Sequence, residues 1–192
     1  MANRKKTKKI PVAAGLLLDA VGFIVAGIIL AFIPNLRLPL PDGGTVPQIV
    51  ALLASMGLAF FAAHSLGHFA TALALGVRTK YFFIAPSDFR NLNIKAAKKL
   101  GALLPTIGTK FDDKYLNAST SKRRAIMMGA GVIVSTIVML IPLLYAFAAR
   151  FVPLALGLGT AFFLANLATE VAFSTKVGDL YKMKRELNAS RK

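Results

Sequence analysis

The sequence predicts an all-α polytopic membrane protein. It has four transmembrane helices and a short extended, β-like cytoplasmic insertion between the second and third. Of its 192 residues 56% are hydrophobic, yet the net charge is +16. That pairing suits apolar spans joined by charged loops and does not suit a soluble domain. The basic residues are also unevenly placed: five precede the first apolar run, eleven lie between Arg78 and Arg124, and six follow Ser174. Only Arg37 and Arg150 occupy the two remaining loops, so both termini and the long middle loop are expected in the cytoplasm of a multi-pass cell-membrane protein.

The predicted spans are 10–33, 48–77, 125–149 and 151–174, each long enough for a bilayer core that takes about 20 helical residues. The first is interrupted only by Asp19. It is too long for the apolar region of a signal peptide and ends in Ile33-Pro34-Asn35, so it reads as a retained anchor. A Pro/Gly-rich turn over 34–44 follows. Arg150 alone separates the last two spans, which predicts a tight helical hairpin with Pro153 tolerated at the start of its second arm. Residues 1–9 and 175–192 read as basic tails, and 78–124 as a basic loop. Within that loop 79–84 has strand-like composition broken at Pro86, 94–103 suits a basic amphipathic helix, and 103–108 suits a second extended piece.

Chemistry concentrates in the second span, which holds the only two histidines, His64 and His68. Four residues apart, they share one helix face. Two imidazoles at that spacing are either a polar packing contact between helices or two-thirds of a zinc site. Ala63 and Gly67 beside them leave room for a neighbouring helix. Without cysteine, neither a disulfide framework nor a thiolate metal site is available. Asp19 and Glu170 are acids inside spans. Each is a candidate to pair with a histidine, carry a proton, act as a base, or make a buried hydrogen bond. Asn166 lies one turn before Glu170 and faces the same way.

The order of landmarks is His64-x-x-x-His68, Leu104-Pro105-Thr106-Ile107-Gly108, a helix opened by Ser121-Lys122-Arg123-Arg124, and a last helix leading to Gly178-Asp179. Over residues 60–185 this layout resembles the site-2 protease family of intramembrane zinc metalloproteases, with one extra helix in front. The resemblance implies zinc held by His64, His68 and Asp179. It also implies a water-activating Glu after the first histidine, where this chain has Ser65. A hydroxyl cannot take a proton from zinc-bound water as a carboxylate does. The expectation is therefore a non-proteolytic relative that keeps its metal site. The alternatives are a structural accessory subunit of a larger membrane complex, or an active metalloprotease with Glu170 as substitute base. For the three ligands to meet, the last helix must unwind or sink, or the second must protrude. Expected partners are the lipid bilayer, anionic headgroups under the basic loops, and other membrane proteins. With no nucleic-acid motif and few aromatics among the basic runs, no nucleic acid is expected.

Overall fold

The computed structural model describes residues 7–32, 44–86 and 105–189. In chain order the elements are β1 (Lys8–Ile10), α1 (Val12–Phe32), α2 (Thr45–Ala74), β2 (Thr79–Pro86), β3 (Pro105–Phe111), α3 (Asp113–Ala118), α4 (Ser121–Ala148) and α5 (Pro153–Thr169). A π-helical turn (Glu170–Ser174), the single turn α6 (Thr175–Val177) and α7 (Asp179–Ala189) complete the chain. The turn expected at 34–44, save its last residue Gly44, and the amphipathic helix expected at 94–103 lie outside the described residues, as do the outer parts of both basic tails.

Four helices are long and apolar enough to cross a bilayer: Val12–Phe32, Thr45–Ala74, Ser121–Ala148 and Pro153–Ala172. They match the four runs read from sequence, with ends displaced by a few residues. α1 buries Gly15, Asp19, Ala26 and Leu30 as one stripe, while Leu17, Ile24, Ile28 and Phe32 stay exposed. An apolar exterior of this kind matches hydrocarbon better than water.

α2 is the central helix, packed against α1, α4 and α5. A Cβ added at Gly67 would stand 3.0 Å from the Ala130 carbonyl oxygen, so only glycine admits α4 this closely. Leu52 and Met56 of α2 meet Met139 and Leu143 of α4 in the larger apolar cluster, which Phe151 and Ala155 close. The α4–α5 hairpin turns at Arg150, whose φ is 56°, and the Val152 amide donates to Gln48 Oε1 of α2 at 2.7 Å.

At its other end α2 stops in a left-handed cap. Gly76 has φ 73°, the Val77 amide donates to Ala72 at 2.8 Å, and the Gly76 amide donates to Leu73 at 3.1 Å. Ala72 and Val77 then pack with Phe111 and Met127 in a second cluster, flanked by Tyr115 and Leu116 of α3. The last turns of α2 are thus covered by β3 and α3.

The sheet is antiparallel in the order β1-β2-β3. β2 and β3 realise the two extended pieces expected in the middle loop, with Ile84 opposite Ile107. β1 differs from expectation, since Lys8 and Lys9 read in sequence as part of a charged tail and Ile10 as the start of the first span. Its pairing of Lys9 with Phe83 is supported by burial of Ile10 and by the Lys9 ammonium lying 5.3 Å from the Tyr81 ring centre. Lysine on a short edge strand is a common way to keep that edge solvated.

Candidate metal centre

The site forms where α2, α4 and α7 converge beneath β3. His64 and His68 project from one face of α2, and both Nε2 atoms stand 3.1 Å from Asp179 Oδ2. One ligand atom from each of the three residues lies within 4.8 Å of the others. Two ligand atoms on a tetrahedral zinc with bonds of about 2.0–2.1 Å stand roughly 3.3 Å apart, so the spacing fits that ion.

The hydrogen bonds around the site sharpen this fit. His68 Nδ1 lies 2.7 Å from the Met127 carbonyl oxygen, which can only accept, so Nδ1 carries the proton. In a neutral His68, Nε2 then presents a lone pair towards a carboxylate oxygen 3.1 Å away. Two acceptors at that distance repel unless a cation or an added proton stands between them. A backbone carbonyl fixing the tautomer of a histidine is also the usual outer support of a zinc ligand. The Nδ1 of His64 is buried and has no partner among the described residues, so apart from its Nε2 contact with Asp179 that ring is held by packing against Phe60 and His68. A Cβ at Gly131 would collide with the His68 ring, so α4 leaves the imidazole its space by lacking a side chain there.

Asp179 reaches the histidines because the last helix unwinds. α5 passes into the π-helical turn, a form often found at functional sites. After α6 the chain extends at Gly178 (φ −100°, ψ −152°), and α7 begins at Asp179. Ser174 Oγ accepts from the Leu180 amide at 3.1 Å, capping the new helix in place of its own preceding turn. Burial pushes the Asp179 carboxyl up, but the His64 and His68 rings beside it and the nearby Lys182 charge outweigh it and hold the group well below its usual range. Lys182 Nζ is 2.9 Å from Asp179 Oδ1.

A cavity of about 350 Å3 opens over the ligands, walled by Phe83, Ile107, Phe111 and Met128, with Lys110 and Lys182 among its lining residues. Asp179 is the only carboxylate in that lining among the described residues. The other candidates stand elsewhere. Ser65, fully buried, turns towards α1 and donates to Asp19 Oδ1 at 2.7 Å. Asp19 is 2% exposed, and its Oδ2 has no partner among the described residues. Glu170 opens the π-helical turn and Asn166 lies on α5, its Nδ2 buried without a described partner; neither lines the cavity.

Sequence reasoning missed the Met127 carbonyl, the Ser174 cap and the pairing of Ser65 with Asp19. A carbonyl leaves no trace in a sequence. The last pair carried a weak signal, since Asp19 alone interrupts the first apolar run. No protein-family model, curated protein or solved structure matches the chain.

Proposed function

We propose that this chain is a zinc-binding, multi-pass membrane protein with a site-2-protease-like layout and without peptidase activity. His64, His68 and Asp179 would supply three protein ligands at the edge of the cavity they line. Zinc bound there would supply Lewis acidity and a water of lowered pKa. The observation that carries the non-proteolytic reading is the buried bond between Ser65 and Asp19. The residue in the base position faces a helix interface, and no carboxylate beyond the ligand itself faces the cavity among the described residues. Among the described residues the cavity lining therefore offers no second carboxylate to serve as a general base.

In this reading the termini and residues 78–124 face the cytoplasm. The lipid bilayer surrounds the spans, and anionic headgroups meet the basic loops. The small-residue positions Ala125, Gly129, Gly131 and Ser135, candidates for contact with other membrane proteins, are all buried within this chain. The deciding experiment is metal analysis of the purified protein combined with a cleavage assay on transmembrane peptides. One zinc per chain and no turnover is expected. Chelator-sensitive cleavage that disappears with His64→Ala would overturn the non-proteolytic reading, and absence of zinc would favour the accessory-subunit alternative.

A further inference from the structure

The third ligand is the one whose position the helical scaffold does not fix by itself. His64 and His68 sit inside α2, a continuous helix clamped on three sides. Asp179 instead follows a π-helical turn, a three-residue turn and an extended glycine, so no regular helix transmits the direction of α5 to α7. The direction of α7 must come from what it lies on, and its most extensive neighbour is α4.

Three residues of α7 share the face turned to α4: Asp179, Met183 and Glu186, at steps of four and three. Met183 fills the space that Gly129 leaves open, where a Cβ would lie 2.6 Å from the sulfur. Glu186 Oε2 accepts from Arg124 Nε at 2.7 Å, with both side chains largely shielded at 15% and 24% exposure. Arg124 is itself fixed, because Nη1 donates to the Ser119 carbonyl at 2.7 Å and Nη2 meets Ser121 Oγ at 3.1 Å. One guanidinium therefore ties the α3–α4 corner, the first turn of α4 and the second half of α7 together. A lysine, with one ammonium on a flexible stem, cannot span the same three acceptors. Arg185 also approaches Glu186, at 3.5 Å, but from its own helix and with its side chain 63% exposed, so it adds no tie to α4.

We infer that Arg124 and Glu186 are positioning residues of the metal centre. Their ion pair, with Met183 seated on Gly129, docks α7 on α4 so that the Asp179 carboxylate stands between the two imidazoles. The pair acts about two helical turns from the ligand and touches neither the metal nor the cavity. Its effect resembles that of residues supporting metal ligands, whose loss lowers affinity by about 10- to 100-fold. This rests on the zinc-binding reading above.

The test uses the full-length protein in detergent, with zinc affinity from competition with a chelating dye and amide hydrogen exchange across the chain. Glu186→Gln should weaken zinc about tenfold and lose protection over 180–189, while α2 and α4 stay protected. Arg124→Lys should fall between that variant and the parent. Arg124→Glu combined with Glu186→Arg should recover part of both signals. Parental affinity and protection in Glu186→Gln would overturn the inference, and so would uniform loss of protection across all helices, which marks general destabilisation. A parent protein that binds no zinc would refute the metal reading. The exchange pattern of α7 would still decide whether the ion pair docks the helix.

Discussion

The hydroxyl of Ser65 donates to Asp19 Oδ1 at 2.7 Å, which places a carboxylate of α1 against the residue that follows His64. The two side chains are 0% and 2% exposed and lie in the α1–α2 interface, closed off from the cavity over His64, His68 and Asp179. This contact changes what should be expected of repair mutations.

Ser65→Glu alone restores the His-Glu-x-x-His spacing but buries a second carboxylate beside Asp19. An unpaired buried charge costs about 3–5 kcal/mol, so this variant should show a markedly lower melting temperature and no gain of activity. Combining it with Asp19→Ala removes the conflict and opens space. The double variant should melt above Ser65→Glu alone, with one buried carboxylate still to accommodate, and is the one to assay for chelator-sensitive cleavage.

Removing the imidazoles should abolish metal binding. His64→Ala and His68→Ala are each expected to leave the purified protein without zinc, and Asp179→Ala to weaken it by about two orders of magnitude. Gly131→Ala changes no ligand but pushes on the His68 ring, and should weaken zinc as well. Retention of zinc after both histidine changes would place the ligands elsewhere.

Acid should loosen metal-free protein through Asp179. Its carboxyl is held well below the ordinary 3.8, the net result of burial opposed by His64, His68 and Lys182. A lowered folded-state value adds stability above the unfolded value and loses it as pH falls towards the folded one. Melting temperature of the apoprotein should therefore drop as pH falls below about 4. Asp179→Asn should lack that part of the decline.

Topology is open to a direct measurement because the chain has no cysteine. In intact cells a single cysteine at Arg150 should react with an impermeant thiol reagent. Cysteines at Lys114 or Lys184 should react only after permeabilisation. Labelling of Lys114 from outside would contradict the four-span arrangement.

The four long helices were legible because hydropathy over twenty residues is a strong, additive signal. The histidine pair was legible because helical periodicity alone puts residues four apart on one face. Asp179 was legible as a neighbour of the histidines only through the resemblance in layout. Its delivery depends on the π-helical turn and on Ser174 capping Leu180, and neither leaves a hydropathy signature. β1 was misplaced for a related reason: in Lys8-Lys9-Ile10 charge dominates the composition, while pairing is set by Phe82 and Phe83 far along the chain. Sheet registers between distant segments are tertiary facts, which local propensity does not encode.

The pairing of β1 with β2 also constrains how the protein is made. Two membrane-length helices, α1 and α2, lie between these adjacent strands. If both helices cross the bilayer, an even number of crossings returns the chain to its starting face, as the pairing of Ile10 with Phe82 requires. During synthesis β1 emerges first and must wait, unpaired, until α2 has inserted and β2 has left the ribosome. A chain whose α2 failed to insert, or entered with the wrong polarity, would leave the two strands on opposite faces, and the sheet roofing the cavity could not close. In a membrane-spanning chain, closure of that roof would thus record that the first hairpin of helices has been threaded correctly.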